Sequence, residues 1–222
     1  MKRLEQFLMH GIALLALVAS AAMTHAEEAP NAHQVVGQTT EAVMTAVADA
    51  RRAGGQASDA YYQQIQELLD PVVDFRGFAR GVMGPYATSE RYRSLDEAGR
   101  EQLASQLDRF TERMREGMVR TYGKGLLAFG GSRIEVTQPS NPDPEARRVT
   151  VQQLIHKDGA QPYVVLYQMG RDKDGSWKLR NMIIENVNLG EIYRSQFQSS
   201  ARSYDGDLDK VIDNWSAVEI DT

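Results

Sequence analysis

The chain has 222 residues, with 25 Lys and Arg against 30 Asp and Glu, a net charge of −5 and no cysteine. The acidic balance, without a long Lys/Arg run, argues against bulk binding to nucleic acid or to an anionic membrane surface. The lack of cysteine excludes a disulfide framework, a thiol nucleophile and a zinc–thiolate site.

Lys2 and Arg3 precede an apolar run from Ile12 to Ala22, and Thr24-His25-Ala26 supplies small residues at −3 and −1. This pattern predicts a signal peptide over 1–26, followed by one domain over 27–222. The run is too short for a stable membrane anchor. An exported domain without disulfides rests on packing alone, which suits the bacterial periplasm.

From about Ala32 to Ala50, Val35, Val36, Thr39, Val43, Val47 and Ala50 share one helical stripe. The segment RRAGGQAS breaks it, and Ser58 or Asp59 can cap a second helix carrying Tyr62, Ile65, Leu68 and Leu69. After Pro71, VVDFRGFARGVMGPY reads as a short helix stopped by Gly84-Pro85. The longest pattern runs from about Asp96 to Tyr122, with Leu103, Leu107, Phe110, Met114 and Met118 on its stripe. Gly123, Gly125, Gly130 and Gly131 are expected to punctuate its end.

The period then changes from 3.6 to 2. SRIEVTQ, RRVTVQQLIH, PYVVLYQMGR and SWKLRNMIIENVNL read as four strands, joined by PSNPDPEA, KDGAQ and DKDG. Short connections favour an antiparallel meander. Leu208, Val211, Ile212 and Trp215 mark a last amphipathic helix. Helices first and strands after give an α+β fold, a helical layer on one curved antiparallel sheet of about four strands.

Catalytic signals are weak. His33 and His156 are too separated for a metal site and belong to no triad motif. YGKGLLAFGG lacks the first glycine and the Ser/Thr of a phosphate loop. Asp74, beside Phe75 and Phe78, fits a helix-start carboxylate better than a desolvated general base. Asn214-Trp215-Ser216 matches a glycosylation sequon inside a helical pattern.

One strand parity is the greasier: Val149, Val151 and Ile155, then Tyr163, Val165, Tyr167 and Met169, then Trp177, Leu179, Ile183 and Val187. Met182-Ile183-Ile184 is apolar on both faces, which strict alternation does not explain. Val165 is expected to face Phe110 and Met114. Whether these side chains fill a core or line a cavity is open on composition alone. Lys178 and Arg180, with Arg147 and Arg148, are candidate docking cations or plain solvated charges.

LLDPVVDFRGFARGVMGPY, residues 68–86, and the Trp-led last strand followed by Tyr193, Arg194 and Phe197 resemble the MlaC, or toluene-tolerance Ttg2, family of periplasmic phospholipid carriers. The resemblance covers essentially the whole chain after residue 26. Where that family has Glu-Gly-Val-Ser-Leu, this chain has Glu185-Asn186-Val187-Asn188-Leu189. The resemblance implies phospholipid acyl chains held between helices and sheet, with no cofactor and no catalytic residue. It implies partners too: an outer-membrane lipoprotein complex and an inner-membrane MCE-domain transporter driven by an ATPase. On that reading, Phe75, Phe78, Val82, Phe110, Met114, Met118, Val149, Val151, Val165, Tyr167, Leu179 and Ile183 contact lipid. The competing readings are a small-molecule enzyme with an apolar pocket and a lipoprotein-sorting chaperone.

Overall fold

The computed structural model describes residues 29–128, 133–139, 143, 145–156, 159 and 161–216. The signal-peptide segment and Gly130-Gly131 lie outside them.

Local chemistry sets the helix starts. Asn31 and Gln34 form a reciprocal capping box at α1 (Ala32–Arg52), satisfying two amides that the helix itself leaves unpaired. Ser58 accepts from the Tyr61 amide to cap α2 (Asp59–Leu69), and Asp74 does the same from Gly77 for α3 (Phe75–Met83). A 3-10 turn (Gly84–Ala87) leads to α4 (Ser89–Ser94), a short helix capped by Thr88 that the sequence pattern did not announce.

The long helix α5 spans Glu97–Ala128 and runs straight through Gly123 and Gly125, contrary to the stop expected there. Gly123 is used for close approach. A Cβ at this position would stand 3.3 Å from the Tyr62 ring, and the Tyr61 hydroxyl donates to the Gly123 carbonyl at 2.9 Å. Tertiary packing of α2 therefore overrides the helix-breaking tendency of the glycines.

The sheet is an antiparallel meander of five strands in chain order: β1 (Ile134–Val136), β2 (Arg148–Ile155), β3 (Tyr163–Arg171), β4 (Trp177–Ile184) and β5 (Val187–Asn188). The fifth strand comes from a tight turn. Glu185 and Asn186 take φ of 49° and 68°, the left-handed pair of a two-residue hairpin. Asn186 is a residue type that tolerates this conformation. Asn188 then accepts from the Glu191 amide and caps α6 (Leu189–Ser203). Asp207 caps the final helix, α7 (Leu208–Asp213).

Register explains the doubly apolar stretch in β4. Gln168 pairs with Asn181 but Met169 pairs with Leu179, so Arg180 is an extra residue, a β-bulge. The bulge flips the parity. Trp177 and Leu179 face the helices before it, and Met182 and Ile184 face them after it. This corrects the expected parity for Ile183, which lies with Leu166 on the opposite face. The parity expected for β2 and β3 agrees with the register.

The bulged Arg180 passes over Gly170, where a Cβ would come within 3.0 Å of its Nε. Its guanidinium pairs with both Asp74 and Asp172. Lys178 donates to the Pro71 carbonyl. The Asp74 amide donates to the Leu179 carbonyl at 3.0 Å, and the Leu179 amide donates to Val72 at 2.7 Å. Lys178 and Arg180 thus fasten the start of α3 to the sheet.

Three apolar groups form the interior. The first joins α3, α5, α6 and α7 around Phe110, Met114, Tyr193 and Phe197, each fully buried. Phe110 and Phe197 meet edge to face at 4.9 Å, and Trp215 meets Phe110 at the same distance. The second joins α1, α2 and α5 through Val47, Tyr61, Ile65 and Val119. The third sets Ala32 and Val36 of α1 on Val151, Met169 and Trp177 of the sheet.

Candidate functional site

The helix-facing side of the sheet is divided between two of these groups. Tyr167, Val149 and Leu179 sit at the edge of the third, and Met182 and Ile184 sit at the edge of the first. Tyr167 and Met182 are register partners, as are Val165 and Ile184. Trp177 and Leu179 of β4 go with the third group, so a seam between the two cores crosses β4 at the bulge and then runs between Tyr167 of β3 and Met182 of β4.

Side chains along this seam face the interior yet keep accessible surface. Tyr167, Met182 and Ile184 are only half-buried, as are Met118 and Tyr122 of α5, which pack on the first core's edge. The sheet is approached by α1, α3 and α6, whereas α5 packs mainly on its fellow helices α2, α3 and α7. Apolar surface is left where the helical layer and the sheet meet.

One polar chain runs beside the seam, from β3 through β2 to α1. The Tyr167 hydroxyl donates to Gln153 Oε1 at 2.8 Å, and Gln153 Nε2 donates to Thr40 Oγ1 at 2.8 Å. Gln153 is otherwise buried, so the two bonds satisfy an amide that would be costly to leave unpaired. Burial pushes the Tyr167 phenol well above its ordinary value. Burial does the same to Tyr122, whose hydroxyl lies 3.3 Å from that of Tyr193. A phenol shifted upward is poorly placed to exchange protons near neutrality. These groups serve as hydrogen-bonding posts.

The expected lipid-contacting residues separate accordingly. Phe78, Val82, Phe110 and Met114 are buried in the first core, with Met118 at its edge; Val151 is buried in the third, with Val149, Tyr167 and Leu179 at its edge. Phe75 and Val165 are buried but belong to none of the three groups. From the sheet it is Met182 and Ile184, not Val165, that pack on the core holding Phe110 and Met114. Ile183 points away from the helices. Of the 182–184 run the sequence pattern put Ile183 on the helix side where the register puts Met182 and Ile184, and it gave no sign of the Gln153–Thr40 contact. The apolar run at 182–184 was the available signal, and the parity flip hid its meaning.

Asp74 serves as helix cap and ion-pair partner of Arg180. His156 lies at a strand end, 3.1 Å from Glu135 Oε2, in an exposed cross-strand pair. Among the described residues, no three His, Cys, Asp or Glu gather as a metal site would require, and no helix is long and apolar enough to cross a membrane.

Helices laid on an antiparallel meander, with an apolar seam between the layers, define an α+β fold. The family model described as MlaC protein matches residues 37–217, and the chain belongs to the MlaC family. It is 28% identical over 203 residues to the toluene tolerance protein ttg2D of Pseudomonas putida, covering 91% of this chain and 87% of that one. Among solved structures it is similar to a phospholipid-binding protein from Ralstonia solanacearum in complex with a phospholipid. That likeness has a TM-score of 0.58 at 19% identity, over 83% of this chain and 98% of the other, and concerns the fold.

Proposed function

We propose that this protein is a periplasmic phospholipid carrier, exported by a signal peptide over 1–26, that holds acyl chains in the seam between the helical layer and the sheet. The observation that carries this reading is the half-buried apolar wall of Tyr167, Met182 and Ile184, with Met118 and Tyr122 half-buried at the edge of the helical core on which Met182 and Ile184 pack. Family membership and the phospholipid in the Ralstonia solanacearum protein support it.

The energetics require enclosure. Two tails of about sixteen carbons, at roughly 0.8 kcal/mol per methylene, cost on the order of 20 kcal/mol to hold in water. The seam accommodates them by parting the first core from the third along the Tyr167–Met182 line. Met side chains on both sides suit such repacking, because the unbranched thioether fills irregular gaps. The Tyr167–Gln153–Thr40 chain is then a fixed polar post beside the tails.

In this reading the carrier moves lipid between outer and inner membranes and helps maintain outer-membrane lipid asymmetry. It exchanges cargo with an outer-membrane lipoprotein complex and an inner-membrane MCE-domain transporter. The test is solvent extraction of protein purified without detergent, followed by lipid mass spectrometry. Stoichiometric diacyl phospholipid is the expected result, and consistently lipid-free extracts overturn the reading. N-terminal sequencing of the exported protein checks for a start at Glu27.

A further inference from the structure

A separate cleft of about 510 Å³ opens on the outside of the helical layer, between α3, α4 and α5. Its floor is apolar: Ala87, Leu103 and Leu107 lie there, each nearly buried. Its rim carries Arg76, Arg80 and Arg93, with Tyr92 among the most exposed large apolar side chains of the described residues.

The rim charge is largely uncompensated. Arg76 pairs with Asp108, but Arg80 and Arg93 make no ion pair among the described residues. Arg93 only donates its Nε to the Ser89 carbonyl at 3.1 Å. The rim's own carboxylate, Asp74, is engaged by the Gly77 amide and by Arg180. On a chain of net charge −5, this is a local positive patch.

The cleft is also held in shape. Arg100 of α5 donates to the carbonyls of Tyr92 at 3.1 Å and Arg93 at 3.0 Å, tying the end of α4 to α5. The same guanidinium lies 5.7 Å from the centre of the Tyr92 ring. A preformed groove spares a partner the cost of ordering its walls.

We propose that this cleft docks a protruding acidic segment of a partner protein, one whose apolar side chains reach Ala87, Leu103 and Leu107 while its carboxylates meet Arg80 and Arg93. Charge complementarity selects the sign of the occupant, and the exposed Arg–Tyr rim has the composition of an interface hot spot. Concavity selects the form: a flat bilayer cannot reach the floor, whereas a chain segment can. The exposed rim also leaves too open a site for a small molecule, which needs most of its surface covered. The inference does not rest on lipid carriage.

The probes are a short synthetic helix-forming peptide of Leu and Glu in amphipathic spacing, its Lys-for-Glu counterpart and its Ser-for-Leu counterpart. Binding is followed through the backbone amide signals of Gly77 and Ala104 in the isotope-labelled protein. The Leu/Glu peptide alone is expected to shift them, more weakly as salt rises. The double variant Arg80→Glu, Arg93→Glu is expected to weaken that peptide by about tenfold and to favour the Lys peptide instead, with unchanged thermal midpoint and lipid content. Should the double reversal disturb folding, Arg93→Gln with Tyr92→Ala is to give a loss in the same direction. Equal binding of all three peptides, or binding indifferent to both variants, overturns the proposal. So does the opposite pattern, in which phosphatidylglycerol-containing vesicles bind through Arg80 and Arg93 while the peptide shifts nothing.

Discussion

The core around Phe110 and the helix-facing side of β3 and β4 are equally apolar, yet they are finished differently. Phe110, Met114, Tyr193 and Phe197 show no accessible surface and interlock through edge-to-face ring contacts. Tyr167, Met182 and Ile184 face the same interior and keep surface. The first region is a joint between helices, where four elements converge and each ring is surrounded. The second lies where two packed groups meet without merging. A stable protein needs the first kind of region, and a carrier needs the second, so that cargo can enter without dismantling the fold.

The sharpest way to break this comparison is Phe110→Ala. In a filled core the lost burial and residual cavity cost about 3–5 kcal/mol, read as a lower urea midpoint. A much smaller loss would mean that this region too is adaptable. The next effect is alkaline. Burial, with neighbouring Tyr62 a lesser cause, pushes the Tyr61 phenol up to about 12. The unfolded chain ionises near its ordinary value of about 10, so this contribution is complete below that pH and is lost as pH rises towards 12. The loss is on the order of 2 kcal/mol at full extent, and Tyr61→Phe removes it from a pH series of urea titrations.

Asp74→Ala removes the cap of α3 and the partner of Arg180 together, at an expected cost of about 1–2 kcal/mol. The cap alone accounts for a loss of this size, so a double-mutant cycle with Arg180→Ala is what isolates the ion pair. Met182→Trp addresses the seam directly. Overpacking a filled site costs about 1–3 kcal/mol, but at the seam the lipid-free variant is expected to lose less than about 1 kcal/mol. Its retained phospholipid is expected to drop sharply in extraction. Both proteins must be compared lipid-free, because bound ligand stabilises by mass action. Asn186→Gly is the smallest change: relief of the positive φ is expected to add about 0.5 kcal/mol without altering lipid content.

Much of the fold was legible because local patterns were unopposed. The stripe in α1, the Ser58 and Asp74 caps and the alternation in β2 and β3 all appear in the structure at the positions read from the sequence. Two of the failures share one cause, since each depended on a partner distant in the chain. Gly123 continues a helix because Tyr61 and Tyr62 come to meet it. Ile183 faces away from the helices because Arg180 is bulged over Gly170, which no periodicity within β4 announces.

Composition and periodicity by themselves determined the helix-then-strand order, the antiparallel meander and which stretches are apolar, because these follow from propensity and from the two side-chain periods. Only the tertiary structure decided which apolar residues are sealed and which keep surface. Sealing depends on how many elements converge on a side chain, and burial is a property of the neighbours, not of the residue. Met114 and Met182 are the same residue type. One is enclosed by helices on every side, and the other stands where two cores stop short of each other.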